Sequence, residues 1–525
     1  MILPPSPQSI DDEADRFPPP TGGPTDGPAA ANATEAQPHA SLIADISNFS
    51  IQYNLAIIAP ALRILSRSAP LSSWAESIVK SAVFAGAITG QGTMGYLVDG
   101  RLGVRAAMTL TTAAAFVGSV VCVGAPALGD GGRAEVMMAF GRAVVGFGVG
   151  GKYPCGSAMK AETVDAQSDG NGGEDDAEDT AMERMNRRLA HTYFWQVPGC
   201  VGPYFSELLL VAAFGGDAVA APPGRDRLQY MLLVGSGAVP SAVVLMLLWR
   251  GRRRRTEISE GEGVQTDDPF SMTAPLLEEP SPVPTWEFPD AEHDTHRSPS
   301  TCIPNDPHRN LRMLLLGTGT CWAIYDVIYF GIMINLPNVL ADVLGKSANG
   351  TSDAFRDLAV SSIALPAIFY SIRYMGPMGG PKVLQARGFV GICVPCFVLS
   401  VLSFSAGSGP WHGYAMFGMC LLLVFALNWG CSLSTYVLPM SMFHRDVRAT
   451  YHGLSSGVGK FGAFLGVLFM TKLDRVGMKW TFLVNTFLSL LGLFLTHKFI
   501  EPKGQDTLYV QKKSDERSNS QSSSG

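Results

Sequence analysis

This chain of 525 residues is 47% hydrophobic and only 16% charged, well below the quarter or so of charged residues typical of a soluble domain. Apolar runs about 20 residues long recur along it, which marks a polytopic membrane protein of the bilayer rather than a string of soluble domains. The net charge of −6, with acidic residues in the N-terminal tail, at 170–180 and after 250, excludes a nucleic-acid-binding face.

Residues 1–40 are rich in proline, glycine and acidic side chains and are expected to form a disordered tail. The N-terminus shows no basic start, apolar run and small-residue cleavage site, so the first apolar helix is expected to act as signal anchor. Twelve membrane helices are then expected, at 41–62, 75–98, 105–127, 135–160, 189–213, 229–249, 312–340, 357–375, 387–406, 412–441, 449–472 and 478–499. They form an N-terminal half (41–249) and a C-terminal half (312–499), joined by a disordered linker at 250–311 and followed by a disordered tail at 500–525. The expected fold class is an all-α membrane protein of twelve transmembrane helices in two six-helix halves.

The linker opens with RGRRRR at 250–255, directly after an apolar run, which places both tails in the cytoplasm by the positive-inside rule. Arg101, Arg105, Arg187, Arg188, Arg445 and Arg448 agree with that orientation, while Arg63, Arg67 and Lys472 fall on the other side. The sequon at Asn349 lies in a loop expected outside, and Asn32 lies in the cytoplasmic tail. The plasma membrane is the expected location, since no organelle-targeting peptide is visible.

Nine cysteines are scattered, mostly in apolar runs, and the CxxC at Cys393 and Cys396 has no second pair, so neither a metal nor a cofactor is expected. Paired carboxylates, a Ser/His/Asp set and metal-ligand spacing are all missing from the hydrophilic segments, which points away from an enzyme. The informative groups are polar side chains inside the helices. A charge at the bilayer centre costs at least about 2.5–3.5 kcal/mol, so such residues usually face a polar cavity.

In chain order, the first helix carries Asp45. The loop GQGTMGYLVDGRLGVR holds Asp99, Arg101 and Arg105. The fourth helix, GRAVVGFGVGGKYP, holds Arg142, Lys152 and Tyr153, with glycines that admit another helix or a ligand. The fifth places Gln196 just before Pro198 and Gly199, where a missing backbone donor leaves a carbonyl for ligand or water. The seventh aligns Trp322, Asp326 and Phe330 on one face, with Tyr325 and Tyr329 beside it. The tenth places Asn428 and Ser432 four apart, which suits either a helix contact or a ligand. The eleventh carries Lys460 about 18 Å beyond Arg448 at the helical rise, deep for a snorkelling lysine. Arg188 with His191, and Arg448 with His452, echo each other across the halves. Such repeats are how many secondary transporters set a site at the midplane.

These residues resemble the major facilitator superfamily. Gly95, Asp99, Gly103 and Arg105 are similar to its loop motif between the second and third helices. GRAVVGFGVGGKYP resembles the fourth helix of its phosphate:proton symporters, and Gln196, Trp322 with Asp326, the Asn428-Trp-Gly stretch and Ser-Gly-Val-Gly-Lys460 continue the likeness over most of 41–500. The resemblance implies that Tyr153, Gln196, Trp322, Asp326 and Lys460 help to bind phosphate and that acidic residues carry a coupled proton. The chain also departs from the pattern. Lys152 replaces an aspartate, the helix 1 aspartate pair falls on Ile51 and Asn54, a helix 7 tyrosine falls on Phe330, and an asparagine falls on Ser432.

The resulting expectation is a secondary active transporter of inorganic phosphate or a related phosphate-bearing anion, working by alternating access, with protons and the lipid bilayer as its other partners and no nucleic acid. Lys152, Tyr153, Gln196, Asn428, Ser432 and Lys460 would donate to the anion and Trp322 would wall the site. Asp326, with Asp45 the remaining helix 1 carboxylate, would serve proton coupling. Asp99, Arg101, Arg105 and Arg142 would latch the cytoplasmic side. Lys152 is expected to face the central cavity, pairing with Asp326, locking the empty carrier or binding substrate. A non-transporting anion sensor and an uncoupled or exchange carrier for organic anions are the alternatives.

Overall fold

The computed structural model describes residues 28–100, 102–129, 132–168, 174–214, 224–262, 307–345, 350–405, 409–444, 447–473 and 477–500. The regular structure among them is helical throughout. In the N-terminal half the helices are α1 (Pro28–Ala56), α2 (Ile58–Leu65), α3 (Ser73–Asp99), α4 (Gly103–Gly124, followed by a 3-10 turn to Leu128), α5 (Arg133–Ser168), α6 (Glu174–Phe194), α7 (Gln196–Phe214), α8 (Arg225–Ser236) and α9 (Ala238–Glu262). In the C-terminal half they are α10 (Pro307–Met333), α11 (Leu336–Leu344), α12 (Gly350–Ser361), α13 (Ala364–Tyr374), α14 (Pro381–Phe404), α15 (Pro410–Asn428), α16 (Cys431–Met442), α17 (Arg448–Leu473) and α18 (Met478–Phe499).

Six of the twelve spans are each built from two consecutive helices: α1–α2, α6–α7, α8–α9, α10–α11, α12–α13 and α15–α16. Proline explains five of the breaks. Pro60, Pro198, Pro240, Pro337 and Pro366 each follow a break by two to four residues, where a proline cannot donate to the carbonyl four residues back. The sixth falls at Gly430, whose φ of 76° is open to glycine at little cost.

Nine helical stretches among the described residues are long and apolar enough to cross a membrane. The other three spans, α1–α2, α3 and α17, carry polar groups inward. Asn48, Gln52 and Asn54 lie buried on α1, Lys80 and Gln91 on α3, and His452, Ser456 and Lys460 on α17.

Several helices run beyond their expected ends. The first starts at Pro28, within the expected tail, and α9 continues past the arginine cluster to Glu262, within the expected linker. Both extensions are rich in alanine, arginine or glutamate, good helix formers that need no apolar burial. Residues 263–306, Asn349 and Arg101 lie outside the described residues.

Glycine sets the spacing of both bundles. On α5, a side chain at Gly146 would meet Val83 O of α3 at 2.0 Å, and one at Gly148 would meet Ala115 N of α4 at 2.4 Å. The motif GFGVGG therefore lets one helix touch two neighbours backbone to backbone. In the other half, a Cβ at Gly462 of α17 would lie 2.2 Å from Ala323 O of α10, and one at Gly466 would lie 2.4 Å from Val327 O. Replacing Gly462 with alanine is expected to force α17 away from α10 and to lower stability by about 1–3 kcal/mol. A fall in the melting temperature of the purified protein checks this, and an unchanged melt would show that the seam yields without penalty.

The halves meet at both ends of the molecule. On the side where α1 begins, α3 packs against α17, and Asp99 accepts hydrogen bonds from the backbone N–H groups of Ala449 and Thr450 at 3.3 and 2.6 Å. These donors are at the start of α17, where a helix leaves N–H groups without internal partners. On the far side, Arg63 of α2 bridges Glu207 of α7 at 2.9 Å and Asp357 of α12 at 2.5 Å. The carboxylates are buried, with side chains 1% and 0% exposed, so one guanidinium ties both halves together. With both ends tied, the space between the halves is an enclosed chamber.

Candidate functional site

The chamber lies where α10 and α17 face α1, α5 and α6. The chamber is narrow, lined by Gln52, Tyr153 and Tyr193 from one half and by Trp322, Tyr325, Asp326, Tyr329, Phe330 and Lys460 from the other. Its charges are one ion pair. Lys460 Nζ donates to Asp326 Oδ2 at 2.7 Å, with both side chains 2% exposed. The ammonium also stands 4.5 Å from the centre of the Phe330 ring and 5.1 Å from that of Tyr153. Aromatic faces attract the cation without neutralising it, so Lys460 remains able to take an anionic acceptor.

The Lys460 region of α17 is shaped for this contact. A Cβ at Gly459 would lie 2.6 Å from Cδ1 of Trp322, so glycine there lets the indole lie against the helix. Trp322 then stands edge-on to Tyr153 and to His452, with ring centres 6.2 and 5.6 Å away. Tyr325 donates to the carbonyl of Leu427 at 2.9 Å, fixing α10 to the break between α15 and α16.

An amide network supports the other wall. Gln196 accepts from Gln52 Nε2 at 3.1 Å and from the Tyr153 hydroxyl at 3.3 Å, and donates to Asn48 Oδ1 at 2.7 Å. Gln196 thus orients two lining residues from behind. A second small cavity on the Arg63 side shares Gln52, Tyr329 and Phe330 with the first and is otherwise lined by apolar groups, Cys200 and Tyr204.

Of the residues selected from sequence, the fold brings Tyr153, Trp322, Asp326 and Lys460 together around one space, with Gln196 directly behind. Asn428 and Ser432 stand at the α15–α16 break instead. Asn428 donates to Val424 O and accepts from the Tyr329 hydroxyl at 3.5 Å, while Ser432 donates to Asn428 O at 2.8 Å and hydrogen-bonds with Tyr193, so both stand behind lining tyrosines rather than in the lining itself. Lys152 does not line the chamber. It is fully buried between α1, α5 and α9, with Nζ 3.0 Å from Ser50 Oγ and 3.1 Å from Ser241 Oγ. The expected meeting of Lys152 with Lys460 over one anion does not occur, because Lys152 is directed into its own half.

Asp45 pairs with Lys160 at 3.2 Å and accepts from Thr192 at 3.0 Å, nearer the start of α1 and apart from the chamber lining. Among the four latch candidates, Asp99 holds the start of α17, Arg105 is exposed at the start of α4, and Arg142 lies buried with Nη1 on Asn54 O at 2.5 Å. Arg142 therefore supports the α1–α5 contact rather than the Asp99 latch.

The family model of the Major Facilitator Superfamily matches residues 42–467. The chain belongs to the Major Facilitator Superfamily. Its membership makes it a multi-pass membrane transporter and not an enzyme. The chain is 27% identical over 478 residues to inorganic phosphate transporter PT2 of Toxoplasma gondii, covering 89% of this chain and 73% of that protein. It is 24% identical over 496 residues to low affinity inorganic phosphate transporter 4 of Lotus japonicus, covering 89% and 90%. Among solved superfamily structures, the proton:xylose symporter XylE bound to 6-bromo-6-deoxy-D-glucose shares the fold with a TM-score of 0.62 at 16% identity, over 89% of this chain and 97% of that one.

Within this superfamily member, the selection from sequence missed two groups. Gln52 and Tyr193 line the chamber, and Gln52 could have been found as a polar amide inside the first membrane span. The Arg63–Glu207–Asp357 bridge was also missed. Glu207 is a carboxylate inside the apolar run YFSELLLV, which is the criterion that selected Asp326.

Proposed function

We propose that this carrier moves inorganic phosphate, or a related phosphate-bearing anion, across the membrane by alternating access between its two halves. The observation that carries this is the buried Lys460–Asp326 pair in an enclosed chamber at their junction. A lone ammonium there would be costly, and its carboxylate partner holds it in place while the chamber is empty. An arriving anion competes for Lys460, with the Tyr153 hydroxyl as a further donor and Trp322 as the wall. The relatives named for inorganic phosphate support the choice of anion.

Alternation then consists of releasing one tie while the other holds. Opening at Asp99 exposes the chamber on the side where the chain begins, and opening at Arg63 exposes it on the other. The arginines at the end of α9 favour a cytoplasmic location for both chain ends, and the plasma membrane is the location that goes with this proposal.

Reconstitution into proteoliposomes tests it. Saturable uptake of radiolabelled phosphate is expected, competed by organic phosphates that fit the chamber and stimulated by an inward proton gradient. Binding without flux would favour an anion sensor, and flux indifferent to the gradient would favour an uncoupled or exchange carrier.

A further inference from the structure

The seam between α1, α5 and α9 holds two buried basic side chains, and among the described residues no carboxylate touches either. Lys152 is 0% exposed, and its Nζ forms a triangle with two hydroxyls, Ser50 and Ser241, which are themselves 3.2 Å apart. Among the described residues it makes no ion pair. About 15 Å further along α5, Arg142 is likewise buried, on the backbone of Asn54. Asn54 is held by Ser50 O, Gly237 O and Ser119, all neutral.

The acidic groups on the surrounding elements are engaged elsewhere. Asp45 of α1 is with Lys160, Glu207 of α7 is with Arg63, and Asp99 of α3 is on the start of α17. Lys80 of α3 pairs with Glu76, away from this seam, and across the chamber Asp326 is held by Lys460. Among the described residues no carboxylate contacts Lys152 in the enclosed state, and the two that the sequence suggests for coupling are each held by another lysine.

A guanidinium keeps its proton in proteins, so Arg142 cannot load and unload one during a cycle. An alkylamine can, and lysine is the cation that buried sites use in both forms. The two serine hydroxyls fit either form. Both accept from the ammonium, and toward the bare amine one accepts while the other donates. Ser50 and Lys152 each lie within two residues of a chamber-lining group, Gln52 and Tyr153.

We propose that the Lys152 amine is the proton-carrying group of the N-terminal half. The inference rests on anion transport through the chamber and assigns its coupling. On the open side, water delivers one proton to the nitrogen lone pair. The ammonium can then be enclosed because an anion occupies the adjoining chamber. After the halves rock, the anion leaves and the proton returns to water on the other side. The empty carrier resets with the bare amine, which needs no counter-charge. Proton and anion therefore travel together, although no carboxylate carries the proton.

The full chain in proteoliposomes, loaded with a pH-sensitive dye, is given radiolabelled phosphate, and protons moved per phosphate are recorded for the native protein, Lys152→Met and Lys152→Arg. The native protein is expected to move protons with phosphate. Methionine has no lone pair of comparable basicity and arginine does not release its proton, so both variants are expected to lower the ratio by roughly tenfold or more. If Lys152→Met does not fold, Lys152→Arg and Ser50→Ala with Ser241→Ala carry the test, the serine variant by displacing the pH profile of coupled uptake. An unaltered ratio in the folded Lys152 variants would place the proton elsewhere and overturn the proposal. No phosphate flux in the native protein would instead remove phosphate transport itself.

Discussion

Replacing Lys460 with alanine is expected to abolish phosphate binding, with a loss of affinity of about 100-fold or more, since a buried, charge-assisted contact is removed from the chamber. The same change strands Asp326, which is 2% exposed and has Lys460 2.7 Å away as its partner. Breaking a buried pair from one side costs about 3–5 kcal/mol of stability, so lost binding in the single variant mixes two effects. The double variant Lys460→Ala, Asp326→Ala separates them. It should melt near the native temperature, because no buried charge is left alone, yet bind no phosphate. Radioligand binding beside thermal melts in detergent reads both, and phosphate affinity preserved in the stable double variant would remove the chamber from the transport path.

Replacing Arg63 with alanine is expected to shift the resting population toward opening on the far side. Arg63 holds Glu207 of its own half and Asp357 of the other, and without it two buried carboxylates face each other across the interface. Arg356 offers Asp357 only a contact at 3.7 Å in compensation. Each 1.4 kcal/mol of lost closure multiplies the open population by about ten. Cys200 reports the change, being a free, buried thiol that lines the cavity between this bridge and the chamber. Its labelling by a membrane-impermeant maleimide should quicken at least about tenfold, with Cys200→Ser as the blank. Unchanged labelling would show that the bridge does not hold the far side closed.

The sequence carries more of the fold than of the site. Apolar runs show where the chain crosses the bilayer, because the need to avoid unpaired backbone groups in lipid acts on every residue of a span. The polar spans α1, α3 and α17 were still legible, since each retains enough apolar length around its inward groups. Asp326 and Lys460 were legible one at a time, as charges that lipid would reject. Their mutual pairing was not, because it joins positions 134 apart and depends on how glycine brings α17 onto α10. Lys152 shows the limit of the same reasoning. Its depth is readable from its surroundings in sequence, but the direction of its side chain depends on Ser241, contributed by a different span. Arg63 looked like an ordinary loop charge, and only the fold brings Asp357 to it.

The contact between α3 and α17 is tightest where backbone meets backbone. A Cβ at Gly95 would lie 2.7 Å from Ala449 O, and one at Gly453 would lie 2.4 Å from Gln91 O, so two smooth backbone ridges lie against each other. Ridges without interlocking knobs part without any rotamer having to turn. The polar ties that must be exchanged for water when that side parts are then few: the Asp99 bonds to the start of α17 and the Thr450 hydroxyl on Gly95 O.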